Sequence, residues 1–224
     1  MLGRDRLTTG AYLKGSPLAG LSYEAEFYYQ AGRIAPSTAT RVSIAALLAG
    51  LRLNYTFGAL PGKPQLGGFF DYLSGDHDPA SGTLRCFDTL FATNHKFYGF
   101  ADFFLNIPAD TQGRGLIDVG GRLTLRPLPA LHLLLDVHDF QLAAPIAVDG
   151  RRWRHVGQEV DLVVTYEPAL AHHLSVQAGL SGVFPQQAGG CVARGGPDCR
   201  TRASGGPALD PEWFAYTMIN LAFN

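Results

Sequence analysis

The chain has 224 residues, a formal net charge of −1 and a charged-residue content of 17%, below the ~25% that is usual in soluble domains. The near-neutral charge and the lack of a basic stripe argue against nucleic acid as a partner. The longest apolar run, 44–51, ends at Arg52 and is far shorter than the ~20 residues that a transmembrane helix needs. The N-terminal residues also lack an apolar stretch of secretory-signal length.

Alternation of apolar and polar residues recurs along the chain and predicts about nine long strands. In the second segment, for example, Phe27 and Tyr29 share one face, and Glu24 and Glu26 share the other. Most segments span about 9–13 residues, which resembles the ~9–11 residues of bilayer-crossing strands more than the ~5–6 of ordinary strands. The predicted strands lie near 6–14, 22–31, 41–57, 65–73, 115–126, 130–142, 154–167, 173–183 and 212–223.

The predicted connections alternate between short and long, as they do in outer-membrane β-barrels with tight periplasmic turns and long outer loops. The sequence therefore predicts an all-β fold: a portion of an antiparallel up-and-down transmembrane β-barrel, with 1–224 as a single domain. A soluble two-layer sandwich is the alternative. Short connections are predicted at 15–20, 58–64, 126–130 and 167–173, medium ones at 32–40 and 143–154, and very long ones at 74–114 and 184–211.

The number of strands predicts an incomplete barrel. A complete bacterial barrel has an even number of strands, whereas this chain has about nine. The aromatic-rich last strand is typical of the end of a barrel and places the C-terminus in the periplasm, so the N-terminus falls on the outer face. We therefore expect the C-terminal part of a larger barrel, whose partner is the missing N-terminal half.

The densest aromatic stretch, FDTLFATNHKFYGFADFF at 87–104, falls within the longest predicted outer loop. One interpretation is that its aromatic side chains pack over the barrel mouth while Asp88 and Asp102 bond backbone amides. In the other, the loop folds inward and lines a constriction at which sugar rings stack and a lysine meets carboxylates. The residues that would line this constriction are Asn94, His95, Lys96 and Tyr98.

The sequence offers little support for catalysis or metal binding. Ser181 lies in GLSGV, which is not the G-x-S-x-G motif that presents a nucleophile. Cys191 and Cys199 share a glycine-rich segment, and a disulfide closing this small loop would suit an oxidising compartment. Cys86 is then left as an unpaired thiol. We predict no enzyme activity, no cofactor and no metal site.

Three segments in order, FFDYLSGDHDPASG, FDTLFATNHKFYGFADFFLNIPADT and GRGLIDVGGRLTLRP, resemble the alginate export family of outer-membrane β-barrels. The resemblance is strong over 64–143. It implies a porin-like channel in the outer membrane of a Gram-negative bacterium, surrounded by lipid and passing an anionic polysaccharide or a related solute. A periplasmic export partner is also implied, but no cofactor. The motif residues that carry the resemblance include Asp76, Phe87, Asp88, Gly99 and Asp102.

Such a channel needs cations on the lumen face to match carboxylates, and arginine can bind a carboxylate with two parallel hydrogen bonds. The strand pattern places Lys14, Arg52, Arg122 and Arg126 there, but acidic residues outnumber them. We expect ladders of opposite charges across neighbouring strands, with cation selectivity as the opposing possibility. A soluble or surface-exposed β-rich carbohydrate-binding module without transport is the alternative function. The acidic residues are Glu24, Glu26, Asp71, Asp118, Asp136, Glu159 and Asp161.

Overall fold

The computed structural model describes residues 3–35, 37, 40–90, 97–148, 150–168, 173–192 and 210–222. Within them, nine long strands form one antiparallel sheet in the order β1-β2-β3-β4-β6-β7-β8-β9-β10. This meander confirms the predicted all-β, up-and-down architecture. The strands are β1 (Gly3–Leu18), β2 (Leu21–Ala35), β3 (Val42–Thr56), β4 (Gln65–Leu73), β5 (Thr83–Leu84), β6 (Leu116–Leu128), β7 (Leu131–Val148), β8 (Arg151–Tyr166), β9 (Leu174–Pro185) and β10 (Glu212–Leu221).

Three short elements lie in the long connections. The strand β5 has two residues and pairs in parallel with β3, beside the meander. The helices α1 (Ile107–Asp110) and α2 (Gln187–Val192) follow β5 and β9 respectively. No helix among the described residues is long and apolar enough to cross a membrane.

All nine predicted strands are confirmed, but several are longer than expected. The strands β1 and β8 have 16 residues each, and β7 has 18. In β7 the extension is the segment 143–148, which has no apolar–polar alternation and still pairs with β8. Alternation marks a strand only when its two faces meet different surroundings, so this part of β7 carries no such signal.

The medium-length connection predicted at 143–154 is wrong. The strand β7 ends only at Val148, and β8 already begins at Arg151, so only residues 149–150 lie between them. The sequence there is Asp-Gly, a pair favoured in two-residue hairpins, and Gly150 has a φ of 75°. The alternation of short and long connections therefore fails at this hairpin.

The two faces of the sheet differ in their surroundings. We call residues 74–115 the plug segment. Its described residues, 74–90 and 97–115, contact one face of the sheet, and we call this the inner face. The opposite, outer face carries large apolar side chains that are exposed along the whole sheet. Among them are Leu51, Leu53, Phe70, Val119, Leu135, Val137, Leu162, Leu180 and Ile219.

The hydrophobic core lies between the plug segment and the inner face. Phe104 and Ile107 of the plug segment are fully buried against a patch formed by several strands, and the buried residues of α2 extend this cluster. The core occupies the loop end of the sheet, where 36–41, 74–115, 149–150 and 186–211 connect the strands. At the opposite, turn end, the inner face is polar. The strand residues of the core are Ala46, Leu48, Leu73, Leu116, Phe140, Leu142, Ile146 and Val156.

Candidate functional site: the charged inner face and its plug

Arg52 stands at the centre of a charge ladder on the inner face. Its Nη1 atom lies 3.1 Å from Oε1 of Glu26 on β2, and its Nη2 atom lies 2.6 Å from Oδ2 of Asp71 on β4. The guanidinium carbon is also 5.1 Å from the ring centroid of Phe97 in the plug segment. One cation therefore bridges three strands and holds the plug by a cation–π contact.

Two further pairs extend the ladder. Lys14 lies opposite Glu24 in the β1–β2 register, with 3.2 Å between Nζ and Oε1. Arg122 lies opposite Asp136 in the β6–β7 register and binds both carboxylate oxygens, with 2.7 Å between Nε and Oδ1. The expected ladders of opposite charge are thus present, and they account for three of the four predicted cations.

Arg52 and Arg122 are brought together although they lie on strands that are not neighbours. Both line a cavity of about 150 Å³, the central cavity, with Glu24, Asn54 and Phe97. Lys14 lies apart from it on the edge strand β1. Arg126 faces a different cavity, of about 540 Å³, which we call the turn-end cavity.

A buried cluster forms around His138, which the sequence did not predict. Its Nδ1 atom is 2.9 Å from Oδ2 of Asp118, and its Nε2 atom is 3.9 Å from Oδ2 of Asp161. All three side chains are buried, and the His138 ring stacks on Phe140 at 5.1 Å between centroids. The three residues come from three different strands, so no spacing along the chain predicts the cluster. Among the described residues, no group of three or more His, Cys, Asp or Glu side chains is arranged to hold a metal ion.

Asp88 anchors the first part of the plug segment. Its main chain is held by the Gln30 side chain, which donates to Asp88 O at 2.7 Å and accepts from Asp88 N at 3.0 Å. Its carboxylate pairs with Arg6 and with Arg4, and it accepts the Leu90 N–H at 2.9 Å, the kind of backbone contact predicted for it. Burial opposes ionisation of this carboxyl, but Arg6 and the Leu90 N–H prevail and lower its pKa.

Glu159 anchors the second part of the plug segment. Glu159 lies on β8, and its Oε1 atom accepts a hydrogen bond from the Ala101 N–H at 2.7 Å. Gly99 passes so close that an added Cβ would lie 2.4 Å from this carboxyl group, and its φ is +87°. Both the space and the backbone conformation therefore require glycine at this position.

The remaining residues of the predicted loop have mixed positions. Phe87 and Tyr98 are buried in the core, and burial raises the pKa of the Tyr98 hydroxyl well above its usual range. Asp76 caps its own turn by accepting the Asp78 N–H at 3.1 Å. Asp102 adopts a φ of 57°. The predicted constriction residues Asn94, His95 and Lys96 lie outside the described residues.

The structure describes two cysteines, Cys86 and Cys191, and shows one as a free thiol and the other in a disulfide. Cys86 is a free, buried thiol, and burial raises its pKa to about 12. Cys191 is disulfide-bonded. Its predicted partner, Cys199, lies outside the described residues, so the pairing stays a prediction.

A family model described as alginate export matches residues 2–204, which contain β1–β9, the charged inner face and the plug segment. The chain belongs to the alginate export family. This confirms the resemblance seen in the sequence and extends it well beyond 64–143. No curated protein matches the sequence.

Proposed function

We propose that this member of the alginate export family forms part of the wall of a porin-like outer-membrane channel through which an anionic polysaccharide passes. One observation carries the proposal: the sheet has an exposed apolar outer face and an inner face with arginine–carboxylate ladders. Exposed apolar surface of this extent suits contact with lipid. The polar inner face would then line the aqueous path.

The ladders suit passage better than tight capture. Conduction requires binding that is favourable enough for entry and weak enough for release. Arg52 and Arg122 already have carboxylate partners, so a polyanion must compete with Glu26, Asp71 and Asp136 for them. We infer that solute carboxylates exchange along a series of weak sites, which reconciles an acid-rich wall with an anionic solute.

The plug segment would set the free width of this path. It lies against the inner face and is held at Gln30, Arg52 and Glu159, which belong to three different strands. The buried aromatic residues and the bond from the Leu90 N–H to Asp88 agree with the interpretation in which the loop packs, and Tyr98 lies in the core. The proposal includes a constriction formed by Asn94, His95 and Lys96.

Planar bilayer recordings of the chain reconstituted in lipid test the proposal. We expect discrete conductance that is blocked by a tetramer of uronic acids and not by a neutral tetrasaccharide. Arg52→Gln should weaken the block, whereas Arg152→Gln, at an exposed position near the loop end, serves as the matched control. Absence of conductance, together with oligouronate binding in detergent-free buffer, would instead support the carbohydrate-binding module.

A further inference from the structure

The strand β8 carries two buried carboxyl groups, those of Glu159 and Asp161, that have no cation of their own. Both side chains are fully buried on the inner face, where three other strand carboxyl groups are also buried. Each of those three is paired with a basic side chain, so the excess of negative charge falls on the β8 pair. The partnered groups are Asp71 with Arg52, Asp136 with Arg122, and Asp118 with His138.

The oxygens of the β8 pair also lack hydrogen-bond donors. Both oxygens of Asp161 and the Oε2 atom of Glu159 are buried with no donor among the described residues. The Nε2 atom of His138 lies 3.9 Å from Oδ2 of Asp161, which is too far for a hydrogen bond. The two carboxyl groups point to the same face of β8 and lie within reach of a hydrogen bond to each other. One proton between them would remove one charge and supply the missing donor.

The plug segment itself keeps the pair away from water. The Ala101 N–H donates to Oε1 of Glu159 at 2.7 Å. The backbone at Gly99 runs so close that an added Cβ would lie 2.4 Å from the same carboxyl group. Burial of Glu159 and docking of residues 97–104 are therefore one structural event. Because burial disfavours a charged carboxyl group, docking and proton binding support each other.

The basic and hydroxyl groups around the pair have other partners. Arg122 and His138 are engaged by the carboxylates of β6 and β7 described above, and the Tyr216 hydroxyl of β10 donates to Gln177. The strand β9, between β8 and β10, contains no titratable side chain. The titratable and charged groups around the pair are Asp118, Arg122, Asp136, His138, Glu212 and Tyr216 from the sheet, and Tyr98 and Asp102 from the plug segment.

We propose that Glu159 and Asp161 form a proton-binding site that locks the plug segment onto the inner face. One proton shared between the two carboxyl groups keeps Glu159 in place to accept the Ala101 N–H. When a base takes up this proton, the hydrogen bond between the carboxyl groups breaks and two buried carboxylates repel each other. Glu159 then turns to water, and residues 97–104 leave the sheet.

The direction of the pH dependence follows from the number of protons bound. In the docked state the buried pair holds one proton, whereas in the released state both carboxyl groups face water and ionise as ordinary ones do, near pH ~4. The docked state therefore binds more protons, so docking weakens as the pH rises, by at most about tenfold per pH unit. Asp88 acts in the opposite direction, in acid only, and on the first part of the plug segment.

Hydrogen exchange of the whole chain in detergent micelles tests the lock. We expect the protection of 97–104, corrected for intrinsic exchange, to fall tenfold or more between about pH 6 and about pH 9, while β7 and β8 stay protected. Glu159→Gln can still accept the Ala101 N–H and donates to Asp161, so it should stay docked at the higher pH. Asp161→Asn provides the same bond in reverse. The control Glu167→Gln, at an exposed carboxyl just after β8, should lose protection as the unmodified chain does.

Several outcomes would overturn the lock. Protection of 97–104 that is independent of pH refutes it, as does an equal fall in the unmodified chain, in Glu159→Gln and in Asp161→Asn. Protection that depends on Na⁺ or Ca²⁺ at constant pH assigns the pair to a metal ion and overturns the proton site. Loss of protection in all strands at about pH 9 refutes a local release.

The lock does not depend on the proposed channel, and the two can fail separately. Protection with the expected pH dependence but without any conductance in bilayers supports the lock and refutes the channel. Conductance that rises with pH in the unmodified chain, and stays low in Glu159→Gln, supports both.

Discussion

Replacing Gly99 by alanine should release the plug segment from the inner face. The added Cβ would lie 2.4 Å from the carboxyl group of Glu159, and this side chain is fully buried. If Glu159 moves to make room, its bond from the Ala101 N–H at 2.7 Å is lost. The φ of +87° at Gly99 adds backbone strain for any other residue.

The expected effect combines these two costs. Holding alanine in the left-handed region costs about 1–2 kcal/mol. Leaving the buried Oε1 atom of Glu159 without its hydrogen bond costs about 1–3 kcal/mol. Together they amount to roughly 3 kcal/mol, which is about a hundredfold in the ratio of docked to released plug.

Hydrogen exchange of peptides covering 97–104 measures this ratio directly. We expect their protection to fall by about two orders of magnitude in Gly99→Ala, while peptides from β7 and β8 keep theirs. Gly82→Ala is the matched control, because Gly82 has a φ of +71° and nothing lies within 4 Å of its added Cβ. In a Glu159→Ala background, Gly99→Ala should cost only the backbone strain. Equal loss of protection at 97–104 in the Gly82 and Gly99 variants would refute the role of Glu159.

Other changes test the same structure at separate points. Arg52→Gln leaves the buried carboxylate of Asp71 without its cation and should lower the free energy of unfolding by about 3 kcal/mol in a denaturant titration. Asp88→Asn should loosen the plug at neutral pH only. The lowered pKa of Asp88 means that its contribution is present above the ordinary value of ~4 and is lost as the pH falls through the folded-state pKa, so protection in the two proteins should converge in acid. The Cys86 thiol, buried and with a pKa of about 12, should resist iodoacetamide at pH ~8 until the chain unfolds. Leu135→Arg, on the outer face, should impair insertion into vesicles by about 2–4 kcal/mol, whereas Thr165→Arg, on the inner face, should not.

The sequence predicted the strands, and with them the face of each side chain, because a period of two residues is a local property of the backbone. Phe27 and Glu26 needed no tertiary information to be placed on opposite faces. The same logic placed Lys14 and Arg122 on the face that carries the acidic residues, and the strand register then set them opposite Glu24 and Asp136. The motif residues in the plug segment further indicated the family, which the match over 2–204 confirmed.

The strand ends predicted from the sequence were wrong at one hairpin of the loop end of the sheet, and Leu48 illustrates the physical reason. Within the apolar run 44–51, Leu51 is exposed on the outer face and Leu48 is buried under the plug segment on the inner face. Apolar side chains therefore occupy both faces of this run, so alternation fades where the plug covers the strands. The same loss of signal hid the end of β7 and its two-residue hairpin to β8.

Only the tertiary structure decided where the plug segment docks and which cations stay unpaired. The bond between Ala101 and Glu159 joins residues 58 positions apart, and the contact of Phe97 with Arg52 likewise joins separate parts of the chain. Residue types and spacing carry no record of such meetings, because they depend on how a long connection folds back across several strands. Lys63 and Arg126 differ from Arg52 and Arg122 for this reason: their charge is local, but the absence of a described acidic partner is a property of the folded sheet.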